Sequence, residues 1–457
     1  MEGNLEIGRL SKAVSPLRSA TAVQILATLR GVCVLLKALI SVGLYTERNC
    51  PRHRAFRLAF APLRPSSGME LKHGIHLGYC TNIHRGETWG ETWKGLRDYT
   101  LRVRERIAHG RRYGIGLRLS EQAARELSQK DTLLAFQKWL DETDCYVYTI
   151  NGFPYGSFHG THVKEQVFKP DWSHTERLDY TKLLFDILAQ ILPPGMSGSV
   201  STLPGSHKEF GIGRDELDAI FTNLRLCSEH IQKVSESSGH DLHLGLEPEP
   251  LGLFETSGET LKFFGLYLDR HPQDRNFFRT VGLNYDCCHL AIEFEDAAEA
   301  LNRITEAGIR LSKLHFSSAL SFHPTAENLE RLRRFNEPVY FHQCIVREGD
   351  LPLRRFRDIP NALDWAATHP KELGDEWRVH FHLPLHASPS GGFSDTKEHL
   401  TGCMDWLAQH PQACQHIEME TYTWEVLPEE MRSFDVVDQL SAEYAWTLNE
   451  MKTRGLA

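Results

Sequence analysis

"VGLNYDCCHLAIEFEDAAEALNRITEAGIRLSKLHFSS", residues 281–318, contains a strand, a helix and a second strand in succession. Its two ends, 281–287 and 310–318, are short runs of strand-forming residues, whereas "AAEALNRITEAGI" between them has apolar residues at helical spacing. Two strands that are joined by one helix pair in parallel, because the helix returns the chain to the edge from which the first strand began.

The same strand and helix pattern recurs from residue 72 to the C-terminus. Strands are predicted at 72–80, 114–120, 145–151, 198–205, 241–250, 281–287, 310–318 and 415–424. About eight such units predict an α/β fold of the (β/α)8 TIM barrel type. An open, doubly wound sheet is the competing fold, but no GxGxxG sequence follows the first strand.

Two segments interrupt this pattern. The chain from 152 to 177 is a long predicted loop after the third strand, and a loop of that length at a barrel rim is usually functional. The segments 338–346 and 378–386 are predicted as an antiparallel strand pair, so that 338–386 is inserted before the last barrel strand. We expect this insertion to lie at the rim where the barrel strands end.

The first 68 residues differ from the rest of the chain in charge. They contain ten Lys or Arg and three Glu, a net charge of +7, which leaves −16 on the residues that follow. Their apolar run, 31–45, is interrupted by Lys37 and is too short to span a bilayer. We therefore expect 1–68 to be an N-terminal extension, disordered or non-native, and 69–457 to be the barrel. An Arg-rich transit peptide is the alternative.

A chain that begins at Met69 tests this expectation. We predict that it is as soluble and as thermally stable as the full chain, because the barrel units begin only after this residue. Melting temperatures of the two proteins, measured side by side, check the prediction. A large fall in the shorter protein would show that residues 1–68 pack on the barrel.

The amino-acid composition restricts which classes of molecule the protein is expected to bind. The chain is 41% hydrophobic and 24% charged, so it can bury a large core, and its net charge is −9. An acidic surface repels a phosphate backbone, so we expect no nucleic-acid partner and disfavour a nuclease. The ten Cys are scattered without paired motifs, which is typical of buried thiols in a reducing, cytoplasmic compartment.

Acidic and imidazole side chains stand at the ends of four successive predicted strands. In a barrel these ends open into one shared site. An oxygen-rich group with one imidazole suits Mn²⁺, Zn²⁺, Mg²⁺ or Fe²⁺. The strand ends carry Glu247 and Glu249, then Asp286, then His315, then Glu418 and Glu420; His289 stands one turn beyond Asp286, and Lys313 lies on the same strand face as His315.

Cys287 and Cys288 allow two other interpretations of this region, a zinc knuckle or a redox pair. A knuckle needs a second Cys or His pair at a suitable distance, and no such pair stands near Cys287 and Cys288 in the sequence. Adjacent cysteines also form a strained disulfide. We therefore interpret both thiols as packing residues.

The order of these residues resembles that of the xylose-isomerase-like barrel superfamily, which contains sugar isomerases, epimerases and abasic-site endonucleases. The chain from Met69 onward more closely resembles the EboE family of metabolite-traffic proteins. The motifs that carry this resemblance are "LGYCTNIHRGETW", "INGFPYGSFHGTHVKEQVFKPDW", "LEPEP", "YDCCHLAIEFED" and "METYTWEVLP".

The resemblance implies a cytoplasmic protein that takes part in the export of a small specialised metabolite, with other proteins of the same export system as partners and without insertion into the membrane. It implies that a divalent metal is bound by Glu247, Asp286, His315 and either Glu418 or Glu420, and that His289 binds a second metal or the substrate. It implies catalysis by Glu247 together with Glu418 or Glu420, which would move a proton beside a carbonyl.

Other histidines and a lysine are candidates for binding substrate. His159 and Lys164, in the long loop, are expected to bind an anionic group, and His380 and His382 to add ligands from the inserted strand. Two functions remain open at this point. The first is a metal-dependent enzyme of the isomerase or epimerase kind. The second is a non-catalytic carrier that binds a metabolite and delivers it for export across a membrane.

Overall fold

The computed structural model describes residues 71–156, 164–274, 276–351, 353–428, 432 and 435–457. The N-terminal extension 1–68 therefore lies outside the described residues. His159, a candidate for binding substrate, also lies outside them. Eight strands of the described part form one sheet, and their residues are buried along the whole length of each strand. They are β1 (His76–Tyr79), β2 (Tyr113–Arg118), β3 (Cys145–Asn151), β4 (Gly198–Thr202), β5 (Leu242–Leu246), β6 (Val281–Asp286), β7 (Leu311–Phe316) and the last strand, β13 (His416–Met419).

All neighbouring strands of this sheet are parallel, in the order β1-β13-β7-β6-β5-β4-β3-β2. A parallel bridge between Cys80 and Gly116 joins the first and last strands of that order, so the sheet closes on itself. Closure excludes the open, doubly wound sheet, and the (β/α)8 barrel is confirmed. All eight carboxyl strand ends therefore face one rim.

Helices connect the strands and cover the outside of the barrel. Several begin with a side-chain cap: Ser120 accepts a hydrogen bond from the amide of Ala123, and Asp296 from that of Glu299. None of the described helices is both long enough and apolar enough to span a membrane. The helices are α1 (Trp89–Gly95), α2 (Leu101–Ile107), α3 (Glu121–Leu127), α4 (Lys130–Glu142), α5 (Thr175–Ile191), α6 (Arg214–Ser238), α7 (Ser257–Arg270), α8 (Phe277–Thr280), α9 (Cys287–Ile292), α10 (Ala297–Glu306), α11 (Ala326–Leu332), α12 (Ile359–Thr368), α13 (Lys397–Gln409) and α14 (Val436–Thr453).

The insertion before the last barrel strand is larger than the predicted pair. The pair is present, since the two strands β9 and β11 are antiparallel, but they belong to a five-stranded sheet in the order β10-β9-β11-β8-β12. This sheet has its own apolar core around Trp377 and Phe381. Its strands are β8 (Leu320–Phe322), β9 (Cys344–Arg347), β10 (Arg354–Phe356), β11 (Glu376–Val379) and β12 (Phe393–Asp395).

The strand bounds within the insertion also differ from the prediction. The apolar stretches 338–346 and 378–386 are only partly strand: β9 begins at Cys344 and β11 ends at Val379. Consequently His380 and His382 do not lie on a strand but in the segment that follows β11, and both are buried. His382 Nδ1 lies 2.9 Å from the carbonyl oxygen of Glu420, which places this segment at the rim where the barrel strands end.

Candidate metal centre and active site

Four side chains from four barrel strands meet at the rim. Glu247 directly follows β5, Asp286 ends β6, His315 lies in β7 and Glu420 directly follows β13. One ligand atom of each lies within 4.8 Å of the ligand atoms of the others, and all four residues are buried. We name this group the carboxylate cluster. Its members are far apart in the chain and are brought together because parallel strands end at one rim.

The carboxylate cluster is centred on Nδ1 of His315. This atom lies 2.9 Å from Oε2 of Glu420, 3.3 Å from Oε1 of Glu247 and 3.4 Å from Oδ2 of Asp286. Oδ2 of Asp286 is buried and makes no hydrogen bond to the described residues. Three carboxylate oxygens thus converge on one point that a single imidazole nitrogen also faces.

The second oxygen of each carboxylate is held by a polar side chain, which leaves the first oxygen to face the centre. Such outer contacts orient metal ligands in proteins. Asn284, one of these donors, stands two residues before Asp286. A role for this residue was not predicted from the sequence. The donors are Asn284 to Glu247 Oε2 at 2.7 Å, Asn82 to Glu420 Oε1 at 2.7 Å, and Ser317 to Asp286 Oδ1 at 2.7 Å.

The electrostatics of the carboxylate cluster favour a cation. Burial opposes the charged form of His315, yet Glu420 and Glu247 raise the pKa of this imidazole well above its ordinary value. Burial also opposes ionisation of Asp286, but His289 and His382 hold the pKa of this carboxyl well below its usual range. Three carboxylates and one imidazole, with one buried oxygen unpaired, fit a divalent metal ion.

Glu418, the other predicted ligand and catalytic residue of the last strand, lies on the opposite side of His315. Its Oε2 is 3.2 Å from His315 Nε2 and is ion-paired with Lys313, and the side chains of Glu418 and Lys313 are fully buried. Burial opposes its charge, but Lys313 and His315 lower the pKa of Glu418 to about 2. Gly116 leaves the space for Glu418, because a Cβ there would collide with Oε1. Of the two alternatives, the structure therefore places Glu420, and not Glu418, in the carboxylate cluster.

A narrow cavity of about 60 Å³ lies beside the carboxylate cluster and is lined by Glu247, His289, His380 and Glu420 among others. A larger cavity, of about 880 Å³, lies at the opposite end of the barrel, where the strands begin, and no member of the carboxylate cluster lines it. The smaller cavity is the candidate active site, because the ionisable groups converge beside it. The described aromatic residues that line it are Phe153, Phe168, Tyr340, Phe341 and Tyr422.

The remaining described candidate residues lie close to this cavity, but they differ in whether their side chains are available to contact a ligand. Lys164 lines it, yet its ammonium group is paired with Asp358 at 2.7 Å, so it does not present a free positive charge to an anionic substrate. His289 and His380 line the cavity, and His382 lies behind them, 3.3 Å from His289. The thiol of Cys287 packs in the barrel core, as interpreted from the sequence.

The fold and the site together define a (β/α)8 barrel with a carboxylate-rich candidate metal centre at the carboxyl ends of its strands. A scan against protein families gave no match for this chain, and a search of curated proteins gave none.

The chain is similar to several solved structures at low sequence identity. One is an L-ribulose 3-epimerase, 13% identical with a TM-score of 0.43, covering 83% of this chain and 95% of that chain. A xylose isomerase domain protein from Planctomyces limnophilus is 13% identical with a TM-score of 0.43, covering 78% and 94%. The IOLI protein with a binding zinc atom is 12% identical with a TM-score of 0.43, covering 83% and 98%. Sequence identities of 12–13% indicate a similar fold and do not indicate a shared activity. Membership of the EboE family stays a prediction.

Proposed function

We propose that this protein is a metal-dependent enzyme of the isomerase or epimerase kind, which moves a proton on a carbon beside a carbonyl group. The observation that carries the proposal is the convergence of Glu247, Asp286 and Glu420 on the Nδ1 atom of His315, beside a cavity that Glu247 and Glu420 line. When bound by these four residues, a divalent ion would polarise the carbonyl oxygen of a substrate and make the adjacent C–H more acidic.

Glu247 and Glu420 are placed to handle the proton. They come from β5 and β13, which are separated in the barrel by β6 and β7, so their carboxylates approach the centre from different sides. One carboxylate removes the proton from one face of the substrate, and the other returns a proton to the opposite face. Asn284 and Asn82 hold these carboxylates in orientation during the transfer.

The lining of the cavity supports a small substrate with both polar and apolar groups. Carboxylates and imidazoles line it together with the aromatic rings of Phe153, Phe168 and Tyr340. Polar oxygens of a substrate would face the carboxylate cluster, while its carbon skeleton packs against the rings. We extend the proposal to a small specialised metabolite that is processed within a metabolite-export system in the cytoplasm, as the resemblance to the EboE family implies.

Exchange with solvent deuterium tests the catalytic proposal. The purified protein, loaded with Mn²⁺ or Zn²⁺, is incubated in D₂O with ketoses and hydroxyketones, and with any small molecule that mass spectrometry finds bound after purification. We expect deuterium on the carbon beside the carbonyl of a substrate. Glu420→Gln should lower the exchange rate by about 100-fold or more, because a positioned general base contributes about that much.

Glu425→Gln is the matched control, since Glu425 lies on the same segment but is ion-paired with Arg85 at the surface. This variant should exchange deuterium at the rate of the unaltered protein. Equal rates in the Glu420 and Glu425 variants would contradict the assignment of Glu420. A ligand that binds tightly but never exchanges would favour the carrier, which needs the cavity but no proton transfer.

A further inference from the structure

The larger cavity, of about 880 Å³, lies at the end of the barrel where the strands begin, and we name it the lower cavity. Sites that bind small molecules typically have volumes of about 300–1,000 Å³, so the lower cavity is large enough to be one. Residues near the beginnings of three barrel strands line it: His243 of β5, Ser312 of β7 and His416 of β13. No member of the carboxylate cluster does, so the chemistry proposed above does not explain this cavity.

Three buried histidines lie together at this end of the barrel: His76 of β1, His243 of β5 and His416 of β13. The rings of His243 and His416 are stacked with their centroids 5.1 Å apart, and those of His76 and His416 are 6.1 Å apart. Burial lowers the pKa of His76 to about 4, and it holds the pKa values of His243 and His416 well below the ordinary value. The three imidazoles are therefore neutral at pH 7.

His243 differs from the other two histidines in its hydrogen bonding. Nδ1 of His76 lies 2.9 Å from a tyrosine hydroxyl. His416 lies between two serines, with Nδ1 2.8 Å from Oγ of Ser199 and Nε2 3.0 Å from Oγ of Ser197. Nδ1 of His243, in contrast, makes no hydrogen bond to the described residues, although the residue is only 3% exposed. An unsatisfied buried nitrogen is costly, so His243 indicates a partner that binds in the lower cavity.

A hydroxyl group is the partner that fits His243 in either tautomer. A neutral imidazole has hydrogen on one nitrogen and a lone pair on the other, and a hydroxyl group both donates and accepts. Most other polar side chains of the lining are amides and hydroxyls, which also pair well with hydroxyl groups. They include Ser197, Gln232, Asn276, Ser312, Gln412 and Gln415.

The charged side chains of the lower cavity do not favour an ion. The described lining contains two acidic and two basic residues, namely Glu236, Asp241, Arg279 and Arg310. The guanidinium group of Arg310 donates two hydrogen bonds to Asp241, at 3.0 and 2.6 Å, and Arg279 is exposed. Because the charges balance, the lining suits a neutral molecule better than an anion or a cation.

We propose that the lower cavity binds a small neutral molecule with several hydroxyl groups, a polyol or a sugar, and that one hydroxyl pairs with Nδ1 of His243. Its other hydroxyls contact the amide and hydroxyl side chains of the lining, and its C–H groups pack against the ring of Phe278. The site needs neither a metal ion nor the carboxylate cluster. It is therefore a second ligand site, independent of the reaction proposed above.

Titration with defined polyols tests the lower cavity. The full chain is stripped of metal and titrated with glucose, sorbitol or sucrose at millimolar concentrations, and saturation-transfer NMR of the probe protons reports binding. We expect at least one of the three probes to bind. His243→Phe should weaken this binding by about tenfold, because it removes one hydrogen bond. The nitrogen Nδ1 that this variant removes has no partner among the described residues, so the fold should be retained.

A second variant and two controls separate this site from the rim. Ala413→Trp fills part of the lower cavity and leaves His243 unaltered, so it should also weaken binding of the probe. His76→Gln is the matched control, because His76 belongs to the same group of histidines but does not line the lower cavity. Glu420→Gln is the control at the rim. Both controls should bind the probe as the unaltered protein does, and melting temperatures confirm that each variant is folded.

Three results would overturn the proposal. Binding that survives both His243→Phe and Ala413→Trp, or that is lost only in Glu420→Gln, would show that the probe does not bind in the lower cavity. Succinate has charge but no hydroxyl group, and binding of succinate without binding of any polyol would refute the class of ligand. If neither succinate nor any polyol binds to the unaltered protein, buried water satisfies His243 and the lower cavity is not a ligand site.

Discussion

Asp286→Asn is expected to lose most of its bound metal while keeping its fold. Oδ2 of Asp286 faces the carboxylate cluster without a hydrogen bond to the described residues, and Oδ1 lies 3.8 Å from Nε2 of His289. Removing this charge therefore weakens metal binding by the carboxylate cluster. Loss of an outer partner of a metal ligand costs about 10–100-fold in affinity, and loss of the ligand's charge should cost more.

The fold should survive this change, because the structural role of Asp286 does not need a charge. Its side chain caps α9 by accepting a hydrogen bond from the amide of His289 at 3.1 Å, and Asn caps helices about as well as Asp. Metal-to-protein ratios would be measured after matched purification, with circular dichroism as the folding control.

Cys287→Ser is the matched comparison for this prediction, since Cys287 is the next residue and packs in the barrel core. We expect it to retain metal at the level of the unaltered protein. The contrast separates loss of a ligand from a general loss of folding, which would affect both variants. Metal lost from the cysteine variant and kept in the aspartate variant would show a thiolate site instead of the carboxylate cluster.

Glu418→Gln is expected to destabilise the protein by about 3–5 kcal/mol, the range typical of breaking a buried ion pair. Both Glu418 and Lys313 are fully buried. The neutral amide would leave the Lys313 ammonium group inside the barrel without its counter-charge. The free energy of unfolding, measured with denaturant, checks the prediction.

The double variant Lys313→Met with Glu418→Gln is the control, because it removes both charges and should recover much of the lost stability. Metal affinity supplies a second readout. Glu418 also contacts Nε2 of His315, so the single variant should bind metal more weakly even where it remains folded. A single variant as stable as the unaltered protein would show that the pair contributes nothing to the fold.

Local sequence patterns were sufficient to predict the barrel and the types of residue at its rim. Strand and helix periodicities are properties of a few consecutive residues, so they can be read along the chain without knowing the fold. Because all parallel strands of a barrel end at one rim, the positions of Glu247, Asp286, His315 and Glu420 already predicted that their side chains would meet. The donors Asn284 and Ser317 were not predicted, since their role depends on which neighbour each one faces.

Only the tertiary structure distinguished Glu418 from Glu420. The two residues are two positions apart, and strand periodicity places both on the same face. Lys313, from the neighbouring strand β7, supplies the counter-charge for Glu418, and Gly116, from β2, leaves the space for its side chain. Glu418 is therefore held on the far side of His315, and Glu420 faces the cavity.

The proximity of His289, His380 and His382 likewise depended on the tertiary structure. His380 and His382 belong to an irregular segment after β11, and such a segment takes its position from the surfaces on which it packs. The carbonyl oxygens of Pro248 and Glu420 decide which nitrogens of His289 and His382 face each other. These contacts join residues 38 and 41 positions apart in the chain, and no local pattern of side chains encodes them.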